Sequence, residues 1–319
     1  MNTIVEMDHV TKTYSRKIKS GKGIFKSSKF ETKEAIKDIS FQIKEGEMVG
    51  IVGLNGAGKS TLLRVISGIY RPDSGSVTID GKAVYDQPQA KENIFFVSDE
   101  TVQFSRLSVN DLKGFFKLTY PRFDEEVFDE LVTKLDLPRK KPLSQFSKGM
   151  KRQAIVACAL ASRTKYILLD EAFDGLDPAM RRLIRTMIVD DIFDRGATLI
   201  VSSHNVTEIG ELCDRAMLLH KGEVIFAKDI DDVREGFEKV QIALPDGELD
   251  RTVIENAGVE VLSFKTLGRV STVITKGDKA DITAKLSALS PAVLELVPLT
   301  LEEIFIYEME VRGYAVSEE

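Results

Sequence analysis

Residues 53–61, Gly-Leu-Asn-Gly-Ala-Gly-Lys-Ser-Thr, have the composition and spacing of a phosphate cradle. They fit G-x-x-x-x-G-K-[ST], with Gly53, Asn55, Gly56, Ala57 and Gly58 in the turn and Lys59, Ser60 and Thr61 opening the next element. Glycines let a backbone wrap an anion without Cβ clashes. Successive N–H groups and a helix N-terminus then present positive partial charge to it. Lys59 can reach the β- and γ-phosphates of a nucleotide, and the Ser60 hydroxyl can ligate Mg2+. The chemistry this implies is that of ATP with Mg2+.

A second group is Tyr166-Ile167-Leu168-Leu169-Asp170-Glu171, an apolar run ending in two acids. Many strands end in an acid, so the pair gains weight only beside the phosphate loop. There Asp170 can hold the Mg2+ shell, and Glu171 can orient or deprotonate the attacking water. A third group, Phe146-Ser147-Lys148-Gly149-Met150, begins its serine 23 residues before Asp170. Ser147 suits a helix N-cap. Its hydroxyl and the N–H groups of Lys148 and Gly149 could form a second phosphate site. Taken alone, the stretch reads only as a capped helix.

These groups need elements to position them. Strands are expected at 4–9, 39–43, 48–52, 77–79, 93–97, 166–169, 198–202 and 215–219, and helices at 59–67, 109–120, 125–135, 148–161, 179–193 and 206–213. The runs at 48–52 and 167–169 lack polar alternation, which fits strands buried on both faces in a parallel sheet covered by helices. Lys221-Gly222 between two apolar runs reads as a hairpin turn. Residues 15–30 carry Arg16, Lys17, Lys19, Lys22, Lys26 and Lys29 and no acid. They read as a basic insert, about 15–33: either a solvated loop or a contact with anionic lipid headgroups or a partner's cytoplasmic face. After about 236 the pattern becomes β-α-β-β-α-β, the ferredoxin-like order, followed by an amphipathic helix at 299–311. The fold class is therefore α/β, with a small C-terminal α+β domain. The expected division is an ATPase domain at 1–235, with a helical subdomain near 100–160, and an accessory domain at 236–319.

The chain has 319 residues, long enough for two domains, with 43% hydrophobic and 29% charged residues. Its net charge of −6 argues against a nucleic-acid partner. The charge is uneven: residues 236–319 hold 15 acids against 8 bases, net −7, leaving residues 1–235 at +1. Two cysteines and three histidines offer neither a disulfide framework nor zinc-type spacing. The longest apolar run, residues 154–161, is eight residues. A membrane span needs about 20, so the sequence offers none.

The ordered set resembles the ATPase subunit of an ABC transporter: phosphate loop, Ser-x-Gly motif, acid pair, Gly175-Leu176-Asp177, then His204. The resemblance covers roughly residues 1–230. It implies that two ATPase subunits pair head to tail, with each ATP between one phosphate loop and the partner's signature motif. On that footing Ser147 and Gly149 contact the γ-phosphate held by the opposite subunit, and Asp177 links the two sites. His204 bonds the γ-phosphate and holds the water with Glu171. Tyr14 stacks on adenine. The resemblance also implies a membrane-spanning permease as partner and a peripheral place at the cytoplasmic face of the membrane.

Three departures stand out. The signature reads Phe-Ser-Lys-Gly-Met where Leu-Ser-Gly-Gly-Gln is usual, keeping Ser147 and Gly149. Ser98-Asp99-Glu100 stands where a glutamine normally faces the metal, and Gln103 follows four residues after Asp99. An Asp99 carboxylate could still bind hard Mg2+. Ala172 replaces the usual proline after the acid pair. The signature, Asp99, Ser203-His204-Asn205 and the segment Leu301-Glu302-Glu303-Ile304-Phe305 resemble exporters of drugs, peptides or cell-surface polymers. The alternative is an ABC ATPase acting on the ribosome or DNA. One phosphate loop, and roughly 85 residues between Lys59 and Ser147, leave room for neither a second unit nor a long insertion.

Overall fold

The apolar runs without alternation form the centre of the molecule. In a computed structural model that describes residues 2–20, 27–98, 104–245 and 249–311, β3 (Met48–Val52), β6 (Ile94–Val97), β7 (Tyr166–Asp170), β8 (Thr198–Ser203), β9 (Arg215–His220) and β10 (Glu223–Asp229) make one sheet. Its order is β10-β9-β3-β8-β7-β6. The pairs β3–β8, β3–β9, β6–β7 and β7–β8 are parallel. Every residue of β7 and β8 is buried, which explains why Ile167–Leu169 and Leu199–Val201 run without polar alternation. β10 turns back beside β9 at Lys221 and Gly222, whose φ angles of 48° and 86° are those of a tight hairpin turn.

A second, antiparallel sheet runs β2-β1-β4-β5, from β1 (Thr3–Ser20), β2 (Ser27–Lys44), β4 (Ser74–Ile79) and β5 (Lys82–Ala83). Residues 15–20 and 27–33 form paired strands rather than the expected loop: the ladder continues from Thr3↔Lys44 out to Ser20↔Ser27. Each arm supplies the other's backbone partners, and neither contains a proline to interrupt the ladder. The central part of the basic insert, 21–26, lies outside the described residues. The two sheets share one core, in which Val5, Ile36 and Ile39 meet Ile51, Leu62, Leu168 and Ile200.

A polar tie also joins them. The buried Tyr166 at the start of β7 donates its hydroxyl to Asp80 Oδ1 at 2.6 Å. Lys165 reaches the same oxygen at 2.9 Å and Glu45 at 3.3 Å. Partial burial pushes the Asp80 carboxyl up, but bonds from Tyr166 and Lys165 outweigh it and hold the group below its ordinary range.

Helices cover the parallel sheet. α1 (Lys59–Ile66) follows β3 directly. α3 (Val109–Thr119), α4 (Glu125–Lys134) and α5 (Lys148–Ala161) pack on one another. Their starts are fixed by Ser108 with Asp111 in a reciprocal cap, by Asp124 and by Ser147. α6 (Pro178–Arg195) begins at Asp177, and α7 (Val206–Leu212) at Asn205. α2 (Pro88–Lys91) is a single turn. Among the described residues no helix is long and apolar enough to cross a membrane.

Residues 1–227 form one compact unit and 228–319 another. The second opens with α8 (Ile230–Arg234). It continues as β11 (Phe237–Ala243), α9 (Arg251–Asn256), β12 (Val261–Leu267), β13 (Val270–Lys276), α10 (Lys279–Ser287) and β14 (Val293–Val297). Its antiparallel sheet runs β12-β13-β11-β14. Val240, Ile242 and Val273 pack with Ile254, Ile282 and Leu286 in its core. On the alternate positions of β11, Phe237 meets Tyr307 edge-on at 5.6 Å and Lys239 pairs with Glu303 at 2.7 Å. Both partners lie on α11 (Leu301–Val311), so that helix covers the sheet's other face.

The tie at Asp80 gives a stability test. A carboxyl whose folded pKa is depressed stabilises above its unfolded value, and loses that contribution as pH falls through its folded value. The urea midpoint should therefore fall on acidification below about pH 4, and fall less in Asp80→Asn. Tyr166→Phe should cost about 1 kcal/mol at neutral pH. An unchanged midpoint in Tyr166→Phe would remove this contact from the account.

Candidate active site

The phosphate loop leaves β3 at Val52 and enters α1 at Lys59. Gly58 caps the helix with φ 115°, and a Cβ there would collide with the Ala35 carbonyl oxygen. No other residue type fits both demands. Ala57 N–H donates to Leu54 O at 3.0 Å and Gly222 N–H to Ala57 O at 2.8 Å, pinning the loop to itself and to the β9–β10 turn. The first turn of α1 carries no acid, which leaves its N-terminal N–H groups to an anion.

Lys59 is 5% exposed. Its ammonium donates to Gly53 O at 2.7 Å and lies 3.1 Å from Glu171 Oε1. A buried cation must have such partners, because taking one out of water unpaired costs several kcal/mol. Its neighbour Ser60 donates to Asp170 Oδ1 at 3.1 Å, and Ser202 donates to the same oxygen at 2.6 Å. The parallel register, Asp170↔Ser202, brings Ser202 there. A serine hydroxyl and a carboxylate 3.1 Å apart are hard oxygen donors of the kind Mg2+ takes.

Glu171 holds φ at 48°, a left-handed conformation uncommon for a side chain of its size. Its N–H donates to Ser202 O at 3.1 Å, which fixes the turn at the end of β7. Its Oε2 faces His204 Nδ1 at 2.9 Å and the His204 N–H at 3.3 Å. An ionised carboxylate only accepts, so Nδ1 carries the proton in this contact. Asp174 Oδ1 lies 3.9 Å from the same nitrogen. Glu171 thus sits between Lys59 on one oxygen and His204 on the other.

Ser147, Gly149 and Asp177 form a neighbouring group. Ser147 Oγ accepts from Met150 N–H at 3.1 Å as the cap of α5. A Cβ on Gly149 would come 2.7 Å from Gly175 O, so this close approach admits only glycine. Asp177 Oδ1 accepts from Met180 N–H at 2.9 Å as the cap of α6. Lys148, the charge added to the signature, lies 3.5 Å from Asp174. Among the described residues, no hydrogen bond or ion pair joins Ser147, Gly149 or Asp177 to residues 53–61. Tyr14 meets the other end of the loop: its hydroxyl is 3.2 Å from Thr61 Oγ1, and its ring is edge-on to Tyr70 at 6.1 Å. Asp99, together with Gln103, lies outside the described residues.

Two participants were not anticipated. Ser202 carries no spacing signal of its own; only its rung opposite Asp170 gives it a role. Asp174 was visible as a further acid three residues beyond Glu171, but its position between Lys148 and His204 depends on the loop's path.

Residues 36–174 match the family described as ABC transporter. Among curated relatives, the ABC transporter ATP-binding protein YtrB of Bacillus subtilis (strain 168) is 29% identical over 88% of this chain and 94% of its own length. The ABC-type transporter ATP-binding protein EcsA of the same strain is 32% identical over 70% and 93%. The lipopolysaccharide export system ATP-binding protein LptB of Haemophilus influenzae is 32% identical over 61% and 85%. Among solved structures, a dimeric ATP-binding cassette in a post-hydrolysis state with ADP and phosphate matches with a TM-score of 0.61 and 25% identity. It covers 71% of this chain and 99% of that one.

Lys59→Ala removes the one buried ammonium of the loop. It should weaken nucleoside triphosphate binding at least about tenfold in a calorimetric titration. Undiminished affinity would exclude residues 53–61 as the phosphate site.

Proposed function

The chain belongs to the ABC transporter family as an ATP-binding subunit, and we propose that it powers export of a substrate through a separate membrane permease, by ATP-driven closure of two ATPase subunits. The chemistry of the family's cassette is ATP hydrolysis. The observation that carries the reading for these residues is the convergence of Lys59 and His204 on the two oxygens of Glu171.

In this reading the N–H groups of 53–61 and the Lys59 ammonium take the β- and γ-phosphates. Lys59 exchanges Glu171 for a phosphate oxygen, which leaves Glu171 Oε1 to a water. The water oxygen bonds to the γ-phosphorus, the bond to the bridging oxygen breaks, and Glu171 takes the water's proton. His204 donates from Nδ1 to Glu171 Oε2 and so aims that carboxylate. Protonated on both nitrogens, it can also donate from Nε2 to the γ-phosphate. Ser60 and Asp170 would hold Mg2+, with Asp99 as a further oxygen ligand, and Ser202 positions the Asp170 carboxylate. The metal supplies neutralisation of phosphate charge.

Tyr14 is the adenine contact; its partly exposed ring beside Thr61 supports that role. Ser147 and Gly149 complete the site of a second ATPase subunit, and Asp177 links the two sites. The capped starts of α5 and α6 present those residues at helix ends, where N–H groups suit an anion.

Export, with a drug, peptide or cell-surface polymer as cargo, rests on the Phe-Ser-Lys-Gly-Met signature and Ser203-His204-Asn205. The relative LptB, a lipopolysaccharide export system ATP-binding protein, accords with it. The subunit would sit peripherally at the cytoplasmic face of the membrane, with helices near 105–135 of its helical subdomain (near 100–160) passing motion to the permease. Mutual packing of α3, α4 and α5 supports such a subdomain. The 236–319 segment would be a ferredoxin-like accessory domain on the ATPase domain at 1–235. Its element order and its β12-β13-β11-β14 sheet support that assignment. It would stabilise the subunit pair or report on the cycle.

Glu171→Gln keeps the size of the side chain and removes its basicity. Phosphate release should fall by about 100-fold or more, with ATP still bound and subunit pairing stabilised in sedimentation. A wild-type rate would rule out Glu171 as the base.

A further inference from the structure

The long hairpin places a lysine beside the phosphate loop that no motif includes. Tyr14 and Lys33 are partners across the β1–β2 ladder. Side chains directly opposite one another on antiparallel strands leave the same face, about 5 Å apart at Cβ. Tyr14 meets the loop at Thr61. Lys33 reaches its middle: its Nζ lies 3.9 Å from the point where a side chain would grow from Gly56. The two residues approach the loop at different points, Tyr14 at Thr61 and Lys33 at Gly56.

The surroundings favour an anion. Lys33, Lys37 and Lys221 line an open cavity of about 700 Å³ together with Thr13, Glu34 and Gly56. Lysines outnumber the single acid there. The Lys37 ammonium is engaged by Glu223 at 2.8 Å. Lys33 has no ion-pair partner among the described residues, so its charge is available to a ligand on the Gly56 side. An exposed ammonium commits less binding energy than the buried Lys59, but it adds charge where a polyphosphate would lie.

We propose that Lys33 is a further nucleotide-binding residue, pairing its ammonium with the phosphates of ATP held by residues 53–61. The inference rests on the reading of that loop as the ATP site. It adds β2 to the loop, the acid pair, Tyr14 and His204 as contributors to the nucleotide site.

The test is calorimetric titration of the full chain with Mg-ATP, at about 0.05 M and about 0.5 M salt, for Lys33→Arg, Lys33→Ala and Lys33→Glu. Lys37→Ala and Lys59→Ala serve as references, and thermal melts verify folding. Affinity should follow charge at low salt. Arg should stay within about twofold of the native chain, Ala should lose about threefold to tenfold, and Glu should lose more. The differences should shrink at high salt. Lys37→Ala, which removes an ammonium already held by Glu223, should lose less than Lys33→Ala. Equal affinity across the Lys33 series, or losses that ignore charge and salt, would overturn the proposal while Lys59→Ala still loses at least about tenfold. If Lys59→Ala binds ATP with undiminished affinity, the reading of the loop fails first, and the Lys33 proposal with it.

Discussion

A buried ammonium shared between a carbonyl and a carboxylate organises this molecule. Lys59 sits at 5% exposure between Gly53 O and Glu171 Oε1. The carbonyl belongs to the end of β3 and the carboxylate to the end of β7. His204, which holds the same carboxylate, follows β8. Only a parallel arrangement brings the ends of three strands to one edge of a sheet, which is where such folds bind ligands. The continuous burial of β7 and β8 therefore serves the site as well as stability. It fixes Asp170, Glu171 and Ser202 relative to one another before any ligand arrives.

Much of this was legible in the sequence, for identifiable reasons. The glycine spacing of 53–58 constrains the backbone locally, so the loop and the start of α1 followed from composition alone. Ser147 caps α5, and a cap is a local signal too, whereas the caps at Asp177 and Asn205 went unread. What could not be read was non-local. Ser202 gains its role from the rung opposite Asp170, and that rung exists only once β7 and β8 are neighbours. The arms of the basic insert looked like a loop because their charges are those of a solvated surface. Each arm is a strand because the other lies beside it. β5 and α2 are too short for periodicity to reveal.

The appended unit shows the complementary case. Alternation along β11 separates Val240 and Ile242, in its core, from Phe237 and Lys239, which meet α11. Two faces covered by different helices are what alternating and amphipathic patterns announce. The uneven charge also acquires a place: the net −7 belongs to residues 236–319, whereas the lysine-rich cavity beside Gly56 belongs to the hairpin and the loop. The proposed phosphate site thus lies in the near-neutral part of the chain.

The most direct test of the account is a crystal structure of the full chain with Mg2+ and a non-hydrolysable ATP analogue. The account requires the phosphates at residues 53–61, with Lys59 Nζ within about 3.2 Å of a phosphate oxygen and withdrawn to beyond about 4 Å from Glu171. A bound nucleotide with Lys59 still paired to Glu171, or one bound away from residues 53–61, would contradict it.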